Sequence, residues 1–386
     1  MAEFTFTDEQ VQLRNAVRKF CADNYDEQAV RRLMEADPPF DQKVWARLGS
    51  ELGVLGLSVP EDDGGAGGTL VDQAIAVEEL GASLACGPLF GTVFLTIPAL
   101  VAAPSGSDRD ELLGALTEGR ATAAFAVADR AGAFHLDAVK VTATRSGDGY
   151  TVTGDAERVV DAGAADYVLV AAESSDGLGL YAVDARGVER TALVTLDLTR
   201  PQATLRFSDA PAQLLAGADE AERVIQHALH VGSALLAAEQ IGASQHLLDL
   251  SVAYAKSRLQ FGRQIGSFQA IKHKLADLLV DLEHARSTAY HAAGALTDGS
   301  DDAALAASIA QATCSAAFSR IAADTIQVHG GIGFTWEHQA HLYFKRAATD
   351  AALLGTAEQH RSRIAELVLD TAEGEKPPPV ATGALT

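Results

Sequence analysis

Hydrophobic positions in the N-terminal third of the chain recur at helical spacing. Phe20 and Val30 follow such a pattern within a polar stretch, and residues 72–84 form a second amphipathic run. A glycine-rich loop, residues 60–68, lies between them. The pattern predicts an N-terminal helical domain over residues 1–118.

The pattern changes at residue 119 and stays different up to residue 217. Short runs rich in Val, Thr and Tyr are separated by Gly, Asp and Ser, which is typical of strands joined by turns. The runs are AAFAVAD, VKVTATR, YTVTG, YVLVAA, LGLYAV and ATLRF. The sequence SGDG at 146–149 is a hairpin signal. These residues predict a central antiparallel β-domain.

Helical spacing returns in residues 218–370. Four long segments lie near 221–256, 268–297, 302–329 and 341–369. Because short loops join them, they predict an antiparallel four-helix bundle, and the whole chain is predicted to have a multi-domain α+β fold. The Pro-rich polar tail, residues 371–386, is expected to be disordered.

Charge narrows the possible partners. The 386 residues include 52 acidic and 30 basic side chains, a formal charge of −22. This balance argues against nucleic acid and anionic membrane surfaces as partners. The polar, acidic start of the chain resembles neither a signal nor a transit peptide, so we expect a cytoplasmic protein. The three cysteines, Cys21, Cys86 and Cys314, have apolar neighbours and predict buried, reduced thiols.

A cluster of basic residues interrupts this acidic background at residues 257–277, SRLQFGRQIGSFQAIKHKLAD. Arg258, Arg263 and Lys272 supply positive charge, and Gly262 permits close approach of the backbone. Arginine can bind phosphate oxygens through two parallel hydrogen bonds, so the segment is compatible with a diphosphate site. A solvated turn between two helices explains these residues equally well.

A second motif, QVHGGIGFTWEH, covers residues 327–338. Gly330, Gly331 and Gly333 follow the end of a predicted helix, where exposed amides can bind an anion. A glycine-rich helix stop is the simpler interpretation. His338 and His341, next to Glu337, have the i, i+3 spacing of a metal pair, but no third ligand with suitable spacing is evident, so no metal site is predicted.

Taken together, the two motifs and the helix–sheet–helix order resemble the acyl-CoA dehydrogenase family, and the resemblance covers nearly the whole chain. It implies FAD as cofactor, an acyl-CoA substrate and an electron-transfer acceptor. Members are usually tetramers in which these motifs hold the adenosine diphosphate half of a neighbouring subunit's FAD. The positions implied to bind FAD here are Arg258, Gln260, Phe261, Gln269, Gln327, Gly330, Gly331 and Thr356.

The resemblance also shows what this chain lacks. Most members carry a catalytic glutamate before Gly-Thr, and that position holds Leu354 here. Others place the base on the first bundle helix, at the position of Gly232. Neither residue can accept a proton, so no catalytic residue is predicted. The nearest acids that could replace the base are Glu239, Asp350 and Glu358.

The central domain departs from the family as well. Where the family has a Thr-Glu-Pro-x-Ala-Gly-Ser-Asp-like stretch against the flavin, this chain has Ala128, Phe134 and His135 at the positions of Thr, Ser and Asp. The family's later Trp-Ile-Thr/Ser element is replaced by residues 158–160, Arg-Val-Val. The hydroxyl and amide partners that a flavin ring needs are therefore largely missing.

The resemblance therefore implies a non-catalytic subunit that completes the FAD site of a homologous catalytic subunit. Bacterial members of the family that act on steroid side-chain CoA thioesters form such heterotetramers. One alternative is a self-sufficient dehydrogenase or oxidase with a relocated base. A scaffold or DNA-binding branch of the family is a further alternative, against which the negative charge argues.

Overall fold

Helical, sheet and helical regions follow one another in the predicted order. The computed structural model describes residues 5–127, 139–147 and 149–369. The predicted tail and the segment containing Ala128, Phe134 and His135 lie outside the described residues. No helix in the described ranges is both long and apolar enough to cross a bilayer.

Six α-helices and one π-helical segment form the N-terminal region. They are α1 (Asp8–Asn24), α2 (Glu27–Leu33), α3 (Gln42–Ser50), α4 (Leu70–Ala82), the π-helical segment Leu89–Thr96, α5 (Ile97–Ala102) and α6 (Ser107–Thr117). The amphipathic run predicted at 72–84 is α4. It begins two residues earlier because Thr69 and Asp72 cap it reciprocally.

Seven strands form the central sheet. They are β1 (Ala123–Ala126), β2 (Thr142–Ser146), β3 (Gly149–Val160), β4 (Tyr167–Ser174), β5 (Gly177–Asp184), β6 (Glu189–Ala192) and β7 (Gln202–Ala216). The predicted hairpin is present, with Ser146 paired to Gly149 across β2 and β3. Strand β6 was not predicted, because its sequence ERTA lacks the apolar alternation of a half-buried strand.

The prediction of a purely antiparallel sheet is wrong at one edge. Strand β1 pairs in parallel with β4, with Ala123 opposite Tyr167, and β2 touches β4 in the same sense through Thr142 and Glu173. The connection from β1 to β4 is long enough to include a crossover, which parallel pairing requires. Strand β5 pairs with both β4 and β7, so the sheet closes on itself around its own apolar core.

The C-terminal region begins with three helices at the predicted places, α7 (Ala221–Ser257), α8 (Gln269–Thr297) and α9 (Ala303–His329). A two-residue hairpin, β8 (Leu259–Gln260) with β9 (Arg263–Gln264), joins α7 to α8. The backbones of helices α7 and α4 are in direct contact at Gly242. This close packing requires glycine, because any side chain there would collide with the carbonyl oxygen of Glu78. This contact places α7 at the centre of the main core.

The fourth predicted helix, residues 341–369, is two helices. Helix α10 (Ala340–Asp350) ends before a turn, and α11 (Ala357–Leu369) starts after it. Leu354 and Gly355 have φ angles of 57° and 104°, which no α-helix accepts. Thr356 and Gln359 then cap α11 reciprocally, with N···O distances of 2.8 and 3.3 Å. The turn lies at the position where the family carries its glutamate.

The three cysteines agree with the sequence prediction. Cys21, Cys86 and Cys314 are buried and free. Burial raises the pKa of each thiol to about 12, which keeps these groups protonated and unreactive at neutral pH.

Candidate functional site

A cleft of about 780 Å³ opens between the sheet, the π-helical segment and the turn that separates α10 from α11. Its described walls are mostly apolar and include Phe90, Leu95, Phe125, Val159, Val160, Leu229, Leu353 and Leu354. The volume lies within the range of small-molecule sites. The first question is whether the cleft holds a group able to move a proton.

Gly232 and Leu354, the two positions expected for a base, lie against each other beside this cleft. A Cβ atom on Gly232 would be 3.3 Å from Cδ1 of Leu354 and 2.6 Å from Cδ2 of Leu95. Leu354 is buried, and its carbonyl oxygen lies 3.0 Å from Nε2 of His360. The two positions expected for the catalytic carboxylate are therefore adjacent in the fold. The space between them is occupied here by aliphatic side chains.

The three acids that could replace the base do not line the cleft. Glu239 and Asp350 are buried in an ion cluster outside it. Glu358 is exposed on α11, and its Oε1 lies 3.4 Å from Nη1 of Arg361. Among the described residues that line the cleft, the only carboxylate is that of Glu157.

The buried ion cluster consists of Asp197, Arg200, Glu239, Arg346 and Asp350, all less than 5% exposed. Arg346 donates from Nε to Asp197 Oδ2 at 2.8 Å and from Nη1 to Glu239 Oε1 at 2.7 Å. Arg200 donates to the other oxygen of Glu239 and lies 3.5 Å from Asp350. The cluster joins the loop before β7 to α7 and α10, which are far apart in sequence.

A single side chain separates the ion cluster from the cleft. The guanidinium of Arg200 lies over the ring of Phe90, 5.3 Å from its centre, and Phe90 lines the cleft.

The two cations and three carboxylates of the ion cluster would carry an excess negative charge if all were ionised. Burial raises the pKa of Asp350 to about 8, although Arg200 opposes that shift. Protonated Asp350 leaves two charges of each sign in a place where an unbalanced charge is costly.

The strand β3 forms the sheet side of the cleft with residues 158–160. Val159 pairs with Ala203 and Val160 with Gln202, so their backbone groups are engaged in the sheet. Arg158 is exposed at the cleft with φ at 57°, in the left-handed region that non-glycine residues seldom adopt. The described part of this wall therefore offers aliphatic side chains and one cation.

The first sequence motif forms an exposed corner after α7. Arg258 ends the helix, and the hairpin of β8 and β9 follows with Phe261 and Gly262 at its tip, at φ angles of 54° and 78°. Phe261 is 89% exposed. Exposure of a large aromatic side chain is unusual unless another surface covers it. Arg258, Gln260 and Gln269 are exposed beside it.

The second motif lies at the same end of the bundle. Helix α9 ends at His329, and the His329 ring stacks on Tyr254 of α7 with 4.4 Å between ring centres. Gln327, Gly330 and Gly331 are exposed there, and a Cβ atom on either glycine would meet nothing within 4 Å. The fold thus brings together seven of the eight residues predicted to bind cofactor.

Thr356, the eighth, lies elsewhere. It lines the cleft, and its hydroxyl accepts from the backbone of Gln359. Gly232 beside the cleft and Arg258 at the corner are 26 residues apart in sequence. At 1.5 Å per residue the two places are separated by about 39 Å along α7. One extended dinucleotide does not span that distance, so the corner and the cleft cannot share a cofactor within one chain.

The partial metal motif holds no cluster of ligands. Within the described ranges, no group of three or more His, Cys, Asp or Glu side chains is arranged to bind an ion. The ring of His341 instead meets Trp336 edge-on, 4.6 Å between centres.

Comparison with known proteins identifies both helical regions. The acyl-CoA dehydrogenase N-terminal domain matches residues 7–120, and the acyl-CoA dehydrogenase C-terminal domain matches residues 222–369. Acyl-CoA dehydrogenase IpdE2 of Mycobacterium tuberculosis is 37% identical over 357 residues, 92% of this chain and 96% of the relative.

Solved structures of similar chains have the same fold. A chain of the ChsE4–ChsE5 complex from Mycobacterium tuberculosis superimposes with a TM-score of 0.84 at 29% identity, covering 95% of this chain and 99% of that one. A chain of the steroid acyl-CoA dehydrogenase Tcur3481–Tcur3483 gives a TM-score of 0.85 at 28% identity, covering 94% and 98%.

FAD is the cofactor of this family. The exposed corner fits its diphosphate half, since it combines arginine side chains with uncrowded glycine amides. The described cleft wall fits the flavin ring less well, because Val159 and Val160 offer no polar side chain and Arg158 places a cation beside them. Domain matches at both ends, with 37% identity over 92% of the sequence, show that the chain belongs to the acyl-CoA dehydrogenase family.

Proposed function

We propose that this chain is the non-catalytic subunit of a hetero-oligomeric acyl-CoA dehydrogenase and completes the FAD site of a catalytic partner. FAD bound in the partner would supply the acceptor for the hydride removed from the acyl-CoA. This chain supplies Arg258, Gln327 and the amides of Gly330 and Gly331 to the diphosphate. The observation that carries the proposal is the contact between Gly232 and Leu354, which leaves both base positions apolar.

The separation of the two sites supports the same assignment. A diphosphate bound at the exposed corner belongs to a cofactor whose ring lies outside this chain's own cleft, because about 39 Å of helix intervenes. Exposed Phe261 suits a surface that another subunit covers. Two similar solved structures, ChsE4–ChsE5 and Tcur3481–Tcur3483, are each named as a pair of proteins.

The substrate class follows from the relatives and is part of the proposal. Tcur3481–Tcur3483 is named a steroid acyl-CoA dehydrogenase. We therefore propose a steroid-derived acyl-CoA as the substrate of the complex. A self-sufficient enzyme would need a base other than Glu239, Asp350 or Glu358, since none of them lines the cleft.

The proposal is tested by purifying the chain alone and together with acyl-CoA dehydrogenases encoded beside it. We expect the chain alone to bind little FAD and to leave acyl-CoA unoxidised, whereas the correct pair contains FAD and reduces an electron acceptor. The measurements are flavin absorbance per chain and acceptor reduction driven by acyl-CoA. A yellow homo-oligomer that oxidises acyl-CoA would refute the proposal.

Arg258→Ala should lower the affinity of the complex for FAD about tenfold or more. Charge-assisted hydrogen bonds contribute about 1.5–3 kcal/mol each, and the side chain of Arg258 is exposed and forms no ion pair within the described ranges, so the fold should be unaffected. The affinity is measured by flavin fluorescence during titration of the FAD-free complex. Arg120→Ala is the control, because Arg120 is exposed and its guanidinium pairs with the neighbouring Glu118 at the surface. Equal FAD affinity in both variants would contradict the assignment.

A further inference from the structure

We infer that the cleft of this chain binds a hydrophobic carboxylic acid, with Arg158 as the anchor of the carboxylate. This inference rests on the proposed function, since a cleft that holds no flavin and has apolar residues at both positions expected for the base is available to another ligand. The ligand would bind without reacting. Three features of the cleft support the inference: its apolar interior, the state of Arg158 and the balance of charge along its walls.

The interior is a preformed apolar space. Leu95, Leu229 and Leu354 line it next to Gly232, and the cleft encloses about 780 Å³. Pockets of this size with hydrophobic walls and few polar groups are typical binding sites for small molecules. A ligand that fills the space must bring an apolar body of several fused rings or a long chain.

Arg158 is held at the cleft in an unusual state. Its backbone adopts φ of 57°, which is unfavourable for a long side chain, and residues held in this way concentrate at ligand sites. The guanidinium is exposed, and within the described residues no ion pair or hydrogen bond of it is found. An exposed cation that is unpaired with the described part of the chain, at the edge of an apolar cleft, is suited to capture an anion.

The charge along the walls favours a monocarboxylate over a CoA ester. Arg158 is the only cation among the described residues that line the cleft, and the neighbouring Glu157 is the only carboxylate among them. A planar guanidinium matches a carboxylate through two parallel hydrogen bonds. The several phosphate charges of CoA would require more cations than this one. Of the uncharged polar residues that line the cleft, Thr356 and Gln359 already bind each other, and Gln202 and Thr349 are the others described there.

The test is calorimetric titration of the assembled complex with three probes. They are deoxycholate as a fused-ring acid, its methyl ester as a neutral match, and palmitate as a chain acid, all below their micelle concentrations. We expect Arg158→Met in this chain to weaken binding of the acids tenfold or more and to leave the ester unchanged. Arg158→Lys should restore part of the acid affinity, because it returns the charge without the planar fork.

A second variant tests the place of binding without disturbing the core. Ala352 is exposed and lines the cleft, so Ala352→Phe should block the acids and the ester alike. Binding of either acid that is lost in both variants supports the inference, and the stronger acid identifies the apolar body. No acid binding, or equal loss of acid and ester in Arg158→Met, overturns it.

Flavin absorbance of the same samples separates this inference from the proposed function. Flavin bound in this chain as well as in its partner would refute the proposed function. Flavin confined to the partner, with no heat on addition of acid, would refute the inference about Arg158 alone.

Discussion

Replacing Arg346 by methionine is expected to lower the free energy of unfolding of the chain by about 3–5 kcal/mol, because it removes the cation paired with the buried carboxylate of Asp197 and leaves that of Glu239 with Arg200 alone. Arg346 is 1% exposed and donates to Asp197, Glu239 and Thr199. Methionine fills a similar volume, so the loss reports charge pairing rather than a cavity. The measurement is the urea midpoint and slope of the variant.

Arg361→Met is the matched control for this experiment. Arg361 is exposed and pairs with the exposed Glu358 at 3.4 Å, so its replacement should change stability by less than about 1 kcal/mol. A shift in Arg346→Met no larger than that of the control would show that the buried ion cluster contributes little.

Asp350→Asn tests how the same ion cluster makes the stability of the chain depend on pH. The pKa of Asp350 is raised to about 8 in the fold, above the ordinary aspartate value of 3.8. The folded chain therefore binds a proton that the unfolded chain has released, and stability falls as pH rises towards 8. Asparagine removes this titration, so the variant should have a flatter dependence between about pH 6.5 and 8. An unchanged slope would show that Asp350 is ionised in the fold.

Leu354→Glu restores the family's base by residue type, yet we expect no turnover from this subunit. A glutamate side chain there would enter a space bounded by Leu95 and Gly232, at a residue whose φ is already 57°. Such burial favours the protonated acid and weakens it as a base. If the proposed division of labour holds, this cleft binds no flavin ring that could accept hydride, so a carboxylate alone gains nothing from proximity. We expect a loss of stability of at least about 2 kcal/mol.

The activity of Leu354→Glu is measured in a complex whose partner has lost its own base, so that any turnover comes from this chain. Leu354→Gln is the control, because it has the same shape without an ionisable group. Similar losses of stability and no acyl-CoA-dependent flavin reduction in either variant are expected. Clear flavin reduction with glutamate but not glutamine would show that the site lacks one residue only, and the proposed division of labour would be wrong.

Local signals were sufficient to predict most elements of the fold. Helices α7, α8 and α9 follow the 3.6-residue apolar repeat, and the β2–β3 hairpin follows SGDG. The fourth bundle helix was predicted as continuous although its interruption had a local signal. Gly355 can take a left-handed φ, and Thr356 with Gln359 forms a capping pair. The parallel pairing of β1 with β4 had no such signal, because strand partners are chosen by contacts between distant residues.

The sequence by itself determined the helix–sheet–helix order, the two exposed motifs and the absence of a glutamate at Leu354. These features depend on residue type and spacing, which the chain carries locally. Only the tertiary structure decided that Gly232 and Leu354 touch, and that Glu239 and Asp350 are bound within an ion cluster with Arg200 and Arg346. Contacts of this kind join residues about 40 to 150 positions apart, and their partners are set by how helices and sheet pack around one core.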